Sequence, residues 1–419
     1  MKKLSIGICG WGNIATGLYD ALHSDSLQQL DDLNISIDCI GARRDNPICD
    51  YGDTPVFRDI FDIPDQDVDV VVELIGGVEV ARELILKAIN NGKHIITANK
   101  AVIFHHGDEI FQAARDNEVQ VLIEASVCAG TPVVKLIKNE LAGNNISKVS
   151  GMLNGTSNFI LSSMEKGMDF DEALSIAKKE GYAEPDPSFD IDGMDAAHKI
   201  GILSHLAYGS SLPPKEFHIE GISNISTLDF KYASINNLAL KHLAVAKMRE
   251  GSVEIRVHPV FLDKKSSLAS LHGVRNGIEI DTDLVGKVYL AGSGAGREST
   301  ASGLISDLIA IGRSLDNNIA AISHSLNVAI TDFDLAVFKY YFYLEVSDEP
   351  DIANAINSCF ADNNVSVENF LQEDATKDQQ APIMITTGLV NEKNAQVLLD
   401  ALSHSSFVTS VRLIRIEAD

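Results

Sequence analysis

Lys3–Gly17, KLSIGICGWGNIATG, is the stretch that decides the fold. Lys3 to Cys9 is a short apolar run of the kind that forms a buried strand. It runs directly into Gly10, Trp11, Gly12, Asn13, Ile14 and Ala15, with Gly17 close behind. The first glycine permits a tight turn, the second lets a pyrophosphate approach the backbone, and the third position, here Ala15, needs only a small side chain for helix packing. A helix opening at Asn13 and Ile14 then points its first amide hydrogens and its positive dipole end at phosphate. A glycine-rich turn alone is compatible with nothing more than a turn. Its place after the first strand and before an amphipathic helix makes Gly10, Gly12, Asn13 and Ile14 a dinucleotide cradle.

The strands downstream extend the pattern. Ile35–Ala42 reads as a second strand, and an NAD-selective protein places an acidic residue at its end for the ribose hydroxyl. Arg43 and Arg44 stand there instead, with Asp45 next. Two guanidiniums suit a 2′-phosphate, so NADP is favoured over NAD. Val68–Ile75 is a continuous apolar run, Val80–Asn91 a helix, His94–Thr97 a short strand and Glu118–Glu124 the next one. This alternation predicts an α/β protein with a Rossmann-type doubly wound parallel sheet. Ligands of such sheets bind beyond the carboxyl ends of the strands, where Thr97-Ala98-Asn99-Lys100 falls, and Lys100 is thereby expected near the reactive end of the cofactor.

Composition sets the outer bounds. At 419 residues and 45% apolar content the chain has length for two or three domains, each with its own core. It contains no apolar stretch of about eighteen residues, so no membrane partner is expected. Five cysteines (Cys9, Cys39, Cys49, Cys128, Cys359) are scattered without a CxxC pair. They argue for reduced thiols and a cytoplasmic protein rather than a disulfide framework or structural zinc. A net charge of −25 excludes nucleic acid as a partner.

A second informative segment is Ala177–Lys199, AKKEGYAEPDPSFDIDGMDAAHK. It reads as a helix stopping at Gly181, a loop stiffened by Pro185 and Pro187, and a new helix opening near Asp192 as N-cap. Asp195 and Lys199 are four apart and share a helix face. A carboxylate beside an ammonium, with further carboxylates on the preceding loop, suits a small zwitterion. The plainer alternative is a solvated acidic loop with a surface ion pair.

Together these motifs resemble the homoserine dehydrogenase family. The run from Ala177 through Gly181, Pro187, Asp190, Gly193 and Asp195 to Lys199 is similar to that family's signature over its full length. Gly10-x-Gly12, the TANK motif ending at Lys100, Asn154-Gly155-Thr156-Ser157-Asn158, and Gly292-x-Gly294-Ala295-Gly296 with Thr300-Ala301-Ser302 support it. The resemblance implies NAD(P)-dependent interconversion of L-homoserine and L-aspartate 4-semialdehyde, on the route from aspartate to threonine and methionine. It implies Lys199 as proton donor and acceptor, with Lys100 assisting by binding substrate, cofactor or both. Glu184 and Asp195 match substrate residues, Asp190 supports them, and Gly181 and Gly296 match positions beside the nicotinamide. A family sodium ion, held mostly by backbone carbonyls, implies Glu124, Val127, Ala129 and Thr131. Ala15 and Ser299 depart from the family pattern without removing a catalytic group. Rivals are another Rossmann dehydrogenase of a small amino acid and a non-catalytic amino-acid sensor on the same scaffold.

The expected organisation is a dinucleotide-binding domain over residues 1–132 with a return helix at about 300–325, an α+β substrate and dimerisation domain over 133–299, and a C-terminal module over 340–419. In the middle part, helices are expected at Asp171–Lys179 and Asp195–Tyr208, and apolar alternation runs through Ser252–Leu262 and Gly277–Tyr289. The C-terminal module reads βαββαβ, with strands at Tyr340–Val346, Val365–Leu371, Pro382–Leu389 and Val408–Ile416, and resembles an ACT domain. Such modules bind amino acids at paired interfaces, which raises a threonine effector and a homodimer or homotetramer. Asp in the turn Asp348-Glu349-Pro350-Asp351, where ligand-binding ACT domains commonly carry Gly, speaks against an open effector pocket.

Overall fold

The computed structural model describes residues 2–24, 32–47, 50–314, 328–347, 351–372 and 380–417. Its chain divides into two units, one of Met1–Val149, His198–Lys215 and Arg275–Ala329, the other of Ser150–Ala197, Glu216–Val274 and Ile330–Asp419. Residues 48–49, 315–325 and 348–350, which include Cys49, the end of the expected return helix and most of the expected effector turn, lie outside the described residues.

The first unit is built on β1 (Lys2–Cys9), α1 (Asn13–Leu22), β2 (Leu33–Gly41), β3 (Val56–Phe57), β4 (Val70–Glu73), α2 (Glu79–Asn90), β5 (His94–Thr97), α3 (Lys100–Asp116) and β6 (Val121–Leu122). Its six strands run parallel in the order β3-β2-β1-β4-β5-β6. Parallel strands are covered on both faces, which is why Leu4, Ile6, Ile8, Val70, Val71 and Val72 are all wholly buried. Chain order reverses between β1 and β4, so the Gly10–Gly12 turn opens at the switch point of the sheet. The helix Arg297–Ser314 returns to cover this sheet, and Leu304, Leu308 and Ile311 pack with Leu4, Ile8 and Leu18.

Two sequence expectations need correction here. The strand expected over Glu118–Glu124 shrinks to Val121–Leu122, because Glu124 leaves the ladder. Its N–H donates to Asp307 Oδ2 at 2.9 Å, and its carboxylate accepts from the N–H groups of Val134 and Lys135. The alternating run Gly277–Tyr289 is two antiparallel strands, Arg275–Thr282 and Lys287–Ser293. Gly286, at φ 80°, makes the turn between them.

The second unit holds α4 (Gly155–Met164), α5 (Phe170–Lys179) and the start of α6 (Met194–Tyr208), whose later turns belong to the first unit. A further correction falls here. Asp192 is the C-cap of a short helix, Ser188–Ile191, and does not cap α6. Pro187 starts that helical turn by accepting from the N–H groups of Asp190 and Ile191, and Gly193 ends it at φ 89° before α6 begins at Met194.

The sheet of this unit begins with the antiparallel pair β7 (Leu238–Arg249) and β8 (Ser252–Asp263). It continues through β9 (Val337–Ser347), α7 (Ile352–Asp362), β10 (Val367–Gln372), β11 (Gln380–Thr387), α8 (Glu392–Ser403) and β12 (Val408–Ile416). These six elements follow the expected βαββαβ order, with strands arranged β12-β9-β11-β10. β12 also joins β8 in parallel at Val260↔Arg415 and Phe261↔Ile416. Both faces of β9 are buried, with Tyr340, Phe342 and Leu344 against Ile356, Phe360 and Leu398, and Tyr341 and Tyr343 against Tyr232 and Phe261.

Candidate active site

The cofactor cradle follows from the switch point. Gly10 sits at φ 99° and a Cβ there would lie 2.6 Å from the carbonyl oxygen of Leu74, so the turn admits only glycine. Gly12 is different, since a Cβ on it would meet nothing within 4 Å. Glycine at that position clears space for something outside the chain. Gly12 is also the N-cap of α1 without a side-chain cap, and the first turn of α1 has no acidic residue. The opening N–H groups, which include those of Asn13 and Ile14, are therefore left for an anion. Ala15 is wholly buried, and Gly17 takes the close packing role because a Cβ there would come within 2.7 Å of Arg297 Cγ.

A cavity of about 490 Å³ opens beside this turn, walled by Gly10, Trp11, Gly12, Arg43, Arg44, Ile75 and Gly76 among others. Arg43 and Arg44 thus stand at the end of β2, within reach of the same space as the glycines. Asp45 does not offset them there. Its carboxylate accepts from the Tyr51 hydroxyl and from Arg58 Nη2, the latter at 2.6 Å, and these two bonds hold its carboxyl below the ordinary range. Gly296, at φ 123°, lies outside the walls of this cavity, at the start of the helix Arg297–Ser314.

Sequence reading passed over Glu73, the last residue of β4. It is wholly buried and its Oε1 accepts from Ile75 N–H at 2.9 Å, while Oε2 accepts from the Thr97 hydroxyl at 2.5 Å. Thr97 Oγ1 in turn accepts from Asn99 N–H, and Asn99 Nδ2 donates to the Gly77 carbonyl at 2.7 Å. Burial pushes the Glu73 carboxyl up, against the lowering effect of these donors. The ring of bonds ties the cavity loop 75–77 to the start of α3, where Asn99 is the N-cap and Lys100 the first helical residue. Its only trace in the sequence is an acid inside the apolar run Val68–Ile75.

Lys199 lies on α6 and is 7% exposed. Helix α6 packs on Phe104 of α3 because Gly201 lacks a side chain, and Gly107 of α3 likewise makes room for Leu212, just beyond α6. A Cβ on Gly201 would be 2.6 Å from Phe104 Cε2, and one on Gly107 would be 2.5 Å from Leu212 Cδ1. The Phe104 ring stacks on His198, centroids 4.1 Å apart. Lys100 is one turn before Phe104 and Lys199 is the residue after His198, so the packing brings the two stretches that carry the lysines together.

In the second unit, Gly181 stops α5 as expected, at φ 75°, and a Cβ there would meet nothing within 4 Å. Glu184 is exposed, and Asp190 and Asp195 converge on one amide. Asn154 Nδ2 donates to Asp190 Oδ1 at 2.7 Å and to Asp195 Oδ2 at 2.8 Å. Sequence reading treated Asn154 only as part of a motif.

The stretch Glu124–Thr131 is buried except for Gly130, and Cys128 turns it with φ 51°. Thr131 Oγ1 is a buried oxygen without a hydrogen-bond partner among the described residues. Among the described residues no group of three or more His, Cys, Asp or Glu is placed to hold a metal, and no helix is long and apolar enough to cross a membrane.

Comparisons with known proteins bear on this geometry. Residues 10–124 match the family described as "Homoserine dehydrogenase, NAD binding domain", and residues 132–309 match "Homoserine dehydrogenase". The chain is 38% identical to a homoserine dehydrogenase of Pseudomonas aeruginosa, over 100% of this chain and 99% of that one. Its fold is similar to the crystal structure of a homoserine dehydrogenase from Thiobacillus denitrificans, with TM-score 0.93, 34% identity, and coverage of 100% of this chain and 99% of that one. It is also similar to a hyperthermophilic archaeal homoserine dehydrogenase in complex with NADPH, with TM-score 0.63, 28% identity, and coverage of 73% and 97%. The glycine cradle, the paired arginines and the bridged aspartates are therefore features of a chain that belongs to the homoserine dehydrogenase family.

Proposed function

We propose that this oxidoreductase uses NADP in preference to NAD to interconvert L-homoserine and L-aspartate 4-semialdehyde, with Lys199 exchanging the proton. The observation that carries the reading is a buried lysine one helical turn after Asp195, an aspartate itself clamped to Asp190 by Asn154. Bound nicotinamide dinucleotide supplies or takes the hydride. Lys199 gives a proton to the aldehyde oxygen in reduction and takes it from the hydroxyl in oxidation. Lys100 assists by holding substrate or cofactor. Glu184, Asp190 and Asp195 hold the amino group and hydroxyl of the amino acid, and Gly181 leaves room for the nicotinamide.

The preference for NADP rests on Arg43 and Arg44 at the cavity wall and on the engagement of Asp45 by Tyr51 and Arg58. The archaeal relative's complex with NADPH agrees with it. Gly12, uncapped and open, fits the pyrophosphate. A monovalent cation such as sodium suits the oxygen-rich stretch formed by Glu124, Val127, Ala129 and Thr131, and the partnerless Thr131 hydroxyl supports it. The βαββαβ module is read as ACT-like, with threonine as its candidate effector. Asp351 at its turn adopts φ 66°, a conformation glycine takes without strain. The exposed alternation of strand Lys287–Ser293 and the exposed Leu284 and Val285 support pairing between copies, as a homodimer or homotetramer. The buried free thiols of Cys9, Cys39 and Cys128 agree with a reducing, cytoplasmic setting.

Following NADPH consumption with aspartate 4-semialdehyde, and repeating it with NADH, tests activity and cofactor choice together. Faster turnover per bound NADPH supports the reading, and turnover with NADH alone refutes the preference. An L-threonine titration that leaves the rate unchanged would leave the C-terminal module a purely oligomerising element.

A further inference from the structure

We infer that Asn154 is the positioning residue that sets the spacing of the substrate carboxylates, an inference that rests on the reading of Asp190 and Asp195 as substrate residues. Asn154 is 6% exposed and precedes α4 as its N-cap. Each polar atom of its amide is used. Oδ1 accepts from Ser157 N–H at 2.7 Å, and Nδ2 donates to Asp190 Oδ1 at 2.7 Å and to Asp195 Oδ2 at 2.8 Å. The opposite orientation of the amide would set its oxygen against two carboxylates, so the three bonds fix it uniquely.

An amide nitrogen has two hydrogens held about 120° apart, so the two acceptor oxygens sit roughly 5 Å from one another. That is the separation an ammonium group bridges with two hydrogen bonds. Asn154 joins the two carboxylates without adding a charge of its own, and the start of α4 adds the positive end of a helix dipole.

The three residues after Asn154 hold the rest of the loop. Thr156 Oγ1 donates to the Tyr182 carbonyl at 2.7 Å, and Ser157 Oγ donates to the Asp190 carbonyl at 3.0 Å. Gly155 is required because a Cβ there would lie 2.7 Å from the Val274 carbonyl oxygen. The template therefore grips the acidic segment at Tyr182, Asp190 and Asp195, and Asn154 reaches both carboxylates.

The test is Asn154→Ser, which keeps a good N-cap for α4 and deletes the bridging amide. NADPH affinity by fluorescence titration, thermal melting, and substrate KM and kcat are measured on the full chain. The expected result is a substrate KM raised tenfold or more, with kcat changed less than threefold and NADPH affinity within twofold. Substrate KM within threefold of wild type would overturn the inference. So would parallel losses of NADPH binding and melting temperature, which assign Asn154 a structural role. Asp195→Asn is measured alongside. If it leaves substrate KM unchanged, the substrate reading itself fails. If it raises KM while Asn154→Ser does not, only the inference about Asn154 fails.

Discussion

Replacing Arg415 by methionine should loosen the C-terminal module from within. Arg415 is wholly buried on β12, and Glu392, at the start of α8, is 2% exposed. The guanidinium grips Glu392 twice, at 2.9 Å from Nε to Oε2 and 2.5 Å from Nη2 to Oε1, and holds Glu220 through Nη1 at 2.6 Å. Methionine preserves much of the volume and leaves two carboxylates without their cation. Removing one member of a buried pair costs about 3–5 kcal/mol, because the partner's charge stays buried and uncompensated. At about 1.4 kcal/mol per factor of ten, amide protection in β9 should fall by roughly 140- to 3,700-fold. Hydrogen exchange read on peptides covering Val337–Ser347 is the suitable assay, since the single tryptophan, Trp11, lies in the other unit and is blind to this one.

The pH dependence has a definite sign. Burial pushes the Glu392 carboxyl up, but its bonds to Arg415, Gln396 and Tyr340 outweigh burial and hold it below 4.5. In the wild type this stabilisation is present above pH 4.5 and lost as pH falls through the lower folded value. Without Arg415 burial dominates, the folded carboxyl rises above its unfolded value, and folding takes up a proton. The deficit of the variant should then be largest near pH 8 and shrink toward about pH 5. Adding Glu392→Met should recover part of the loss. A deficit under about 1 kcal/mol, or one equal at both pH values, would refute the reasoning.

Two further substitutions probe the cofactor site. Arg43→Ala together with Arg44→Ala should raise the KM for NADPH by roughly 10- to 100-fold, the worth of one or two charge-assisted bonds, and leave the KM for NADH within threefold; equal effects on both cofactors would dismiss the 2′-phosphate reading. Gly181→Ala places a side chain at φ 75° in space the chain leaves open, so melting should report a cost of only about 1–2 kcal/mol while NADPH turnover falls by much more. Turnover reduced only in step with stability would show that nothing else needs that space.

Much of the first unit is legible in the residues because its signals are local. The run from Lys3 to Gly17 names its own strand, turn and helix, and the apolar His94–Thr97 is a strand with the bounds read from sequence. Gly181 likewise ends its helix where a left-handed residue must sit. What escaped depends on partners far away in the chain. The strand after α3 is cut short because Glu124 bonds Asp307, 183 residues later. Asp192 has the composition of an N-cap, but Pro187 starts a helical turn first and Asp192 closes it. The alternation of Gly277–Tyr289 hides a hairpin because apolar periodicity does not register a turn between two similar strands. Asn154 and Glu73 are invisible for the same reason, since an amide or an acid shows its role only when its acceptors and donors arrive from other elements.

The central claim is that Lys199 moves the proton while hydride passes to or from the amino acid. Its most direct measurement is the maximal rate of NADPH oxidation with aspartate 4-semialdehyde by the Lys199→Met variant, in protein verified to bind NADPH normally. A loss of about 10²- to 10⁴-fold in kcat is predicted for removal of a general acid. A variant that turns over within tenfold of the wild type would contradict the assignment.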